Sequence, residues 1–358
     1  METIDPTEVL GTPLGATHRA RGAHMGPWFG CDLPSDFGDV RTEFFNAKKS
    51  VALIDKNYRA YLSFTGPDRV RYLNAIVTNN IKDLKPSQGV VSLLLNPQGH
   101  ILAEIETYAM GEILFCISYN MIRERLCETL DKFIIMDDVN LSDDTALHGT
   151  LALEGPATAQ IVAELTGADL NSLPALGILE VKVGSLACLL IRRSPGDSLS
   201  AEFVSSRGNM RELWDVLEER AHDVGGGPVG YTALSAIRLE QGIPWFGYDF
   251  GEKQIPHEAG LENSHISYTK GCYTGQEIVE RVRSRGQVNR KLVRLEFDGA
   301  TAPPAGTPLT LEGKELGNVT RAAAPPNRET AIGMAYLRRE ANAAGTRIAW
   351  AGGSGRVL

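Results

Sequence analysis

The sequence lacks several features that define whole classes of protein. It has 5 cysteines in 358 residues, an odd number without any Cys-x-x-Cys spacing, which excludes a disulfide framework and a zinc-finger-type ligand set. No apolar run approaches the roughly 20 residues that a membrane helix needs. The first residues also lack the basic and then apolar pattern of a signal peptide. We therefore expect a soluble, cytoplasmic protein that does not contact a membrane.

Positive charge is also scarce, because 36 Lys and Arg against 44 Asp and Glu give a net charge of −8. This balance argues against direct nucleic-acid binding, although it leaves room for a local basic pocket. The 7 histidines show no metal-ligand spacing such as H-E-x-x-H, so we assign no metal site. What is present, 43% hydrophobic and 22% charged residues, is typical of a globular protein, and the length predicts two or three domains.

An internal repeat organises the first two thirds of the chain. Residues 59–77 read as a strand, a Gly-Pro turn and an amphipathic helix, and residues 149–165 follow the same plan. Further strands are predicted near 89–95, 101–109, 112–118, 136–141, 178–183, 186–193 and 199–204, with helices near 120–133 and 208–219. The repeat predicts an α+β fold of two related α/β-sandwich, ferredoxin-like modules, 59–145 and 149–240.

The last part of the chain has a different pattern, with short strands separated by turns and no room for a long helix. We predict strands at 292–297, 309–311, 317–321, 331–337 and 347–350. The sequence therefore predicts a C-terminal antiparallel β-barrel domain over 286–358. The remaining stretch, 241–285, is expected to pack back on the second module within an N-terminal region, 1–285.

The most distinctive segment, which we call the cysteine motif, lies just before the predicted barrel. It consists of Lys270, Gly271, Cys272, Tyr273, Thr274, Gly275, Gln276 and Glu277. Ile278, Val279 and Val282 follow at helical spacing, and Thr274 with Glu277 has the spacing of a capping box. We therefore expect a helix capped by Thr274.

Cys272 differs from the other cysteines because it would lie just before a helix N-terminus and close to Lys270. Both positive charges would favour the thiolate over the thiol. We predict a functional thiol at Cys272, with Lys270 tuning it. The other cysteines are expected to be small buried hydrophobes: Cys31, Cys116, Cys127 and Cys188.

A basic cluster follows the cysteine motif in this acidic chain, consisting of Arg281, Arg283, Arg285, Arg290 and Lys291. It could be a solvated helix face, with Glu277 and Glu280 as ion-pair partners. It could equally form a positively charged opening for an anionic ligand. The sequence leaves both interpretations open.

The cysteine motif resembles the signature of the YgfZ-type folate-binding proteins, a branch of the glycine-cleavage T-protein (aminomethyltransferase) superfamily. Further stretches similar to that superfamily occur in the same order: Leu14–Ala16, Gly66-Pro67, Asn96–Ile101, Gly226-Gly227, Arg238–Gly242, Gly317–Thr320 and Ala331–Ala335. The resemblance covers nearly the whole chain. It implies a three-domain ring around a central channel that binds tetrahydrofolate or a one-carbon derivative.

The resemblance also implies folate-binding residues. By position, Arg238 would contact the folate, Glu202 falls where the transferases keep a carboxylate that binds the pterin, and Tyr108 would line the same pocket. Without the resemblance, Arg238 would read as a helix-surface arginine and Glu202 as a solvent-facing strand residue. Where the transferases carry an Asp-Asp pair, this chain has Ala103 and Glu104, so that one carboxylate is absent.

Three functions follow from these likenesses. The leading hypothesis is a tetrahydrofolate-binding accessory protein that supports iron–sulfur cluster assembly or repair, with Cys272 as its working group and iron–sulfur client or assembly proteins as partners. The alternative is a tetrahydrofolate-dependent aminomethyl or one-carbon transferase, in which Glu104 replaces the missing Asp. A third is a scaffold that kept the fold and lost the ligand.

Overall fold

The computed structural model describes residues 10–194, 196 and 198–358, and the side chain of Arg285 is not described. The first residues, on which the expected lack of a signal peptide depends, lie outside this range. The chain forms two compact units. Unit 1 extends to Asn74 and includes Asn80–Val91 and Ile105–Leu234, and unit 2 comprises Ala75–Asn79, Ser92–Glu104 and Ser235–Leu358.

The α-helices of the described residues are α1 (Gly15–Ala20), α2 (Val40–Lys49), α3 (Arg69–Ile76), α4 (Arg123–Phe133), α5 (Thr158–Thr166), α6 (Met210–Asp223), α7 (Tyr231–Gln241), α8 (Pro256–Ala259) and α9 (Gln276–Arg285). The first strands are β1 (Leu10–Gly11), β2 (His24–Trp28), β3 (Cys31–Asp36), β4 (Ala52–Asp55), β5 (Arg59–Thr65), β6 (Gly89–Leu95) and β7 (Ile101–Met110). They are followed by β8 (Ile113–Tyr119), β9 (Asn140–Asp143), β10 (His148–Glu154), β11 (Ile178–Val183), β12 (Leu186–Arg193), β13 (Ser200–Ser206) and β14 (Gly227–Pro228).

Unit 1 contains a small three-stranded sheet, in the order β1-β3-β2, and two larger sheets. The first is a six-stranded sheet in the order β11-β12-β13-β10-β4-β14, with α6 packed through Leu213 and Trp214 against a buried apolar cluster. The second is a five-stranded sheet in the order β6-β7-β8-β5-β9. Tyr61 and Phe115 of the second sheet pack against Ile191 of the first, so the two sheets enclose a common core.

A closed barrel forms the end of unit 2. Its strands are β15 (Arg290–Phe297), β16 (Pro308–Leu311), β17 (Lys314–Ala323), β18 (Ile332–Arg338), β19 (Arg347–Trp350) and β20 (Gly353–Val357). They follow the order β15-β18-β17-β16-β19-β20 with antiparallel pairing, and β15 closes the barrel on β20. Side chains such as Leu295, Val319 and Leu337 fill its interior.

A buried ion pair joins the barrel to the segment that precedes it within unit 2. Arg321 on β17 donates to Asp249 Oδ2 from Nη2 at 2.6 Å and from Nε at 3.1 Å. The guanidinium also lies over the ring of Trp245, 4.1 Å from its centroid. Asp249 accepts a further bond from Thr320 on the same strand. Burial lowers the pKa of Arg321 even though the carboxylate of Asp249 lies beside it. Removing these two charges from water therefore costs free energy, which their mutual attraction has to offset.

The predicted fold class, α/β sheets followed by an antiparallel β-barrel, is confirmed. Strands β11, β12 and β19 have the predicted bounds, whereas the strand predicted at 136–141 occurs as β9, from Asn140. Ile135 and Met136 are instead 83% and 92% exposed, so this apolar run does not pair into the sheet. Strand β20 of the barrel was not predicted, because the sequence of β20 is rich in glycine and is typical of a turn. The domain boundary after residue 285 stays a prediction.

Candidate functional site

The cysteine motif lies in unit 2 and leads into α9. The helix begins at Gln276, and the residue before it, Gly275, has a left-handed φ of +81° and makes no side-chain cap. The predicted capping box of Thr274 and Glu277 is therefore wrong, because the helix starts one residue later than the box requires. Its first turn does carry Glu277, which complements the positive end of the helix dipole.

The start of α9 packs tightly on the turn between β6 and β7. A Cβ placed on Gly275 would lie 2.7 Å from the carbonyl oxygen of Asn96, and one placed on Gly99 would lie 2.9 Å from Ile278 Cγ2. Two stretches that are 170 or more residues apart are therefore in direct contact within unit 2. Both belong to the sequence blocks that suggested the family.

Cys272 and Lys270 have different surroundings. The Cys272 side chain is exposed, so its sulfur is accessible. Lys270 is half-buried, and its ammonium donates hydrogen bonds to the carbonyl oxygens of Val77 and Asn79. Burial lowers the pKa of Lys270 to about 8. Lys270 thus fastens the motif to the chain after α3, a role that the sequence did not suggest.

The other four cysteines are less exposed than Cys272. Cys31, Cys116 and Cys188 are buried and Cys127 is half-buried. Burial raises the pKa of Cys31 to about 11 and that of Cys116 to about 12. It also raises the pKa values of the remaining two. These environments hold the sulfur as a thiol and agree with a packing role.

Glu104 is held by a histidine that the sequence analysis did not single out. His265 Nε2 lies 2.9 Å from Glu104 Oε1, and His265 Nδ1 lies 2.7 Å from Ser264 Oγ. Thr78 fixes the same segment by donating to the backbone oxygen of His265 at 2.6 Å. Ala103 is buried and contributes only a methyl group. The carboxylate at this point of unit 2 is thus Glu104, positioned by a hydrogen-bonded pair.

Unit 1 contains a buried group of charges, which we call the charge cage: Lys56, Arg59, Glu106, Arg193 and Glu202. Lys56 Nζ donates to Glu202 Oε1 at 2.6 Å, and Arg59 Nη2 lies 3.5 Å from the same oxygen. Burial alone would raise the pKa of Glu202, but Lys56, Arg59 and Arg193 together hold it well below its usual range. Glu202 is fully buried, which excludes the solvent-facing interpretation.

Tyr108 belongs to the same group. Its hydroxyl donates to Glu106 Oε2 at 2.8 Å, and Arg193 pairs with that oxygen at 2.6 Å. Burial, followed by the carboxylate of Glu106, raises the pKa of Tyr108 well above its usual value. The structure therefore brings Tyr108 and Glu202 together around the charge cage. The sequence analysis missed the other four members, because isolated charged residues carry no signal of burial.

Arg238 lies on the part of α7 that belongs to unit 2. It is buried, and its Nη1 donates to Gln241 Oε1 at 3.0 Å, so it is not a helix-surface arginine. Arginine side chains are rarely buried unless they are paired with other groups of the protein or bind a ligand. The role of Arg238 in folate binding stays a prediction.

The basic cluster is partly neutralised within unit 2. Arg283 lies over the ring of Tyr268 and pairs with Glu280 at 3.5 Å, and Arg290 pairs with Glu258 at 3.0 Å. The side chain of Arg285 lies outside the described residues. These contacts favour the interpretation as a solvated, ion-paired face.

Comparison with known proteins identifies the family. The GCVT N-terminal domain matches residues 14–266, and the glycine cleavage T-protein C-terminal barrel domain matches residues 290–356. Because these matches cover most of the chain, the protein belongs to the glycine-cleavage T-protein family.

Similar proteins agree with this assignment. The chain is 29% identical to the aminomethyltransferase of Streptomyces coelicolor over 96% of its own length and 93% of the relative's. It is 26% identical to that of Rubrobacter xylanophilus, over 92% and 87%. The crystal structure of the glycine cleavage system aminomethyltransferase T from Bartonella henselae shares the fold, with a TM-score of 0.88 at 22% identity over 98% and 96%.

The described residues contain no group of three or more His, Cys, Asp and Glu side chains that could hold a metal ion. None of their helices combines the length and the apolar character that crossing a membrane requires.

Proposed function

We propose that this chain binds tetrahydrofolate or a one-carbon derivative, with Glu202 accepting hydrogen bonds from the pterin. The observation that supports this is an orphaned oxygen, because Glu202 Oε2 is buried without a hydrogen-bond partner among the described residues. A buried acceptor without a donor is costly. A pterin edge presents paired N–H donors, which a carboxylate is well suited to accept. The residues present therefore fit the group that the family implies.

The reaction we propose is a tetrahydrofolate-dependent transfer of a one-carbon unit from an amine. Kinship with proteins named aminomethyltransferases supports it. Bound tetrahydrofolate supplies the amine that carries the one-carbon unit. Glu104 supplies the carboxylate, and the bond to His265 Nε2 holds it in one position, so that it can take up or return a proton at a fixed point. In this proposal Glu104 replaces the missing aspartate.

A second candidate function is the YgfZ-type accessory role in iron–sulfur cluster assembly or repair. A specific observation favours it, since the only exposed thiol among the described cysteines, Cys272, lies in the motif that resembles that branch. The buried methyl of Ala103 in place of a carboxylate favours it too. One thiolate cannot hold a stable cluster, so Cys272 would act transiently on a client.

The folate site is tested by replacing Glu202. Glu202→Gln is expected to weaken tetrahydrofolate binding by about 100-fold, because the amide removes the charge and one acceptor. Anaerobic titration calorimetry measures the dissociation constant, and circular dichroism confirms folding. Glu43→Gln is the matched control, since it removes a buried carboxylate of unit 1 that lies outside the charge cage and accepts from the backbone N–H groups of Phe37 and Gly230. It is expected to bind tetrahydrofolate within about twofold of the wild type. If Glu202→Gln also binds as tightly as the wild type, the proposed site is wrong.

The two candidate functions are separated by two variants in two assays. Glu104→Gln is expected to abolish transfer from an aminomethyl donor to tetrahydrofolate, whereas Cys272→Ala leaves that transfer within about twofold. In cells lacking the protein, rescue of iron–sulfur enzyme activity is the second readout. Rescue that is lost with Cys272→Ala and kept with Glu104→Gln, without measurable transfer by the wild type, would replace the first candidate with the second.

A further inference from the structure

We infer that Arg59 donates a hydrogen bond to the ring oxo group of the bound pterin, so that the site distinguishes 2-amino-4-oxo pteridines from 2,4-diamino pteridines. The inference rests on the proposed function, because it takes Glu202 as the pterin acceptor. It goes beyond the proposed function in two ways. It assigns a role in ligand binding to Arg59, which the sequence did not suggest, and it names a class of ligands, the 2,4-diamino pteridines, that the site rejects.

The first observation is a second orphaned atom in the charge cage. Arg59 is buried, and its Nε has no hydrogen-bond partner among the residues that the structure describes. Its Nη2 is occupied, lying 3.3 Å from Glu106 Oε1 and 3.5 Å from Glu202 Oε1. An unpaired N–H of a buried guanidinium is as costly as an unpaired carboxylate oxygen.

The second observation is that Arg59 is held in place. The rings of Tyr58 and Tyr119 lie 5.3 and 5.4 Å from its Cζ, within the range of cation–π attraction. Glu106 holds the end of the same guanidinium. Moving Nε to find another acceptor would break these contacts, so the donor stays where it is.

The third observation is that the two side chains with orphaned atoms are in contact. Arg59 Nη2 lies 3.5 Å from Glu202 Oε1, so the guanidinium that carries the unpaired Nε and the carboxylate that carries the unpaired Oε2 belong to one ion pair. The charge cage therefore holds both an unused donor and an unused acceptor. A ligand that satisfies both must carry an acceptor and a donor on one edge.

A 2-amino-4-oxo pteridine has this edge, because its oxo oxygen accepts while the adjacent ring N–H and the amino group donate. In a 2,4-diamino pteridine an amino group replaces the oxo group and the adjacent ring nitrogen loses its hydrogen. It would therefore face Arg59 with a donor and would face Glu202 with an acceptor at that ring nitrogen, so that only the 2-amino group could still donate to the carboxylate. A site whose buried polar groups are left unpaired rejects such an analogue strongly.

The charge of the cage points the same way. Lys56, Arg59 and Arg193 carry three positive charges against the two carboxylates of Glu106 and Glu202. An oxo oxygen is favoured beside this excess of positive charge, whereas a 2,4-diamino ring, which protonates more readily, is disfavoured.

The test compares two ligands that differ at one group. Tetrahydrofolate and tetrahydroaminopterin, its 4-amino analogue, are titrated anaerobically into the wild type and into Arg59→Lys. We expect the wild type to prefer tetrahydrofolate by about 100-fold. Arg59→Lys keeps the charge but lacks Nε, and is expected to reduce that preference to about fivefold or less. A merely structural role of Arg59 would weaken both ligands equally and leave the ratio unchanged.

The outcomes separate this inference from the proposed function. Equal binding of both ligands by the wild type, or an unchanged ratio in Arg59→Lys, overturns the role of Arg59 alone. Binding of neither ligand overturns the proposed function as well. Guanosine presents the same edge in another ring, and tighter binding of guanosine than of tetrahydrofolate also overturns the inference. If Arg59→Lys fails to fold, Arg59→Gln, which also lacks the guanidinium Nε, is titrated with both ligands in its place.

Discussion

Replacing Arg321 with methionine is expected to lower the free energy of unfolding by about 3–5 kcal/mol, because Asp249 would remain as an uncompensated buried charge. Arg321 makes two of the hydrogen bonds that Asp249 Oδ2 accepts, and it also bonds to Ser235 Oγ and the carbonyl oxygen of Ile243. Chemical denaturation followed by tryptophan fluorescence measures the loss, since Trp245 lies directly against the guanidinium.

Two controls make this result specific to burial. Arg347→Met breaks the exposed ion pair between Arg347 and Asp298, whose side chains are 60% and 50% exposed. It is expected to lower the free energy of unfolding by no more than about 1 kcal/mol. The double variant Arg321→Met with Asp249→Leu leaves neither buried charge unpaired and is expected to recover much of the loss. A cost for Arg321→Met as small as that for Arg347→Met would contradict the importance of the buried pair.

Gly275→Ala is expected to destabilise unit 2 by about 2–4 kcal/mol, because alanine is strained at a left-handed φ and its Cβ would collide with a backbone oxygen. The φ is +81°, and the oxygen of Asn96 would be 2.7 Å from that Cβ. Relief of the clash requires α9 to move away from the β6–β7 turn. Thermal unfolding measures the loss, and hydrogen exchange in Gln276–Arg285 and at Asn96–Gly99 shows where the contact opens.

Gly271→Ala is the matched control within the same motif. No heavy atom lies within 4 Å of a Cβ placed there, and its φ is not in the left-handed region. We therefore expect a change in the free energy of unfolding of no more than about 1 kcal/mol. If both glycine variants unfold alike, the steric account of Gly275 is wrong. A Gly271→Ala variant that folds normally but loses function would assign Gly271 to the chemistry of Cys272.

The sequence predicted the elements that stand out as apolar runs or have a helical period. Strands β11 and β12 were visible as short apolar runs separated at Gly184, and the helix face of α9 was visible in Ile278, Val279 and Val282. Strand β4 was not predicted, and it is only four residues long. The capping box failed because a side-chain pattern does not show that the backbone turns left-handed at Gly275.

The candidate site was predicted only where the family resemblance supplied positions. Glu202, Tyr108 and Arg238 came from that resemblance, and their burial is consistent with it. Arg59, Glu106 and Arg193 could not be found, because charged residues are ordinarily exposed and only the pairing of distant strands encloses them. The sequence likewise offered no reason to single out His265, because its partner Glu104 lies 161 residues away along the chain.

The alternation of the chain between its two units limits how this protein can change. Unit 2 consists of three separate stretches of the chain, which begin at Ala75, Ser92 and Ser235. A single recombination event that replaces one continuous stretch of the gene therefore cannot exchange a whole unit. Strand β7 makes this most visible, because Glu104 belongs to one unit and Glu106, two residues later, to the other.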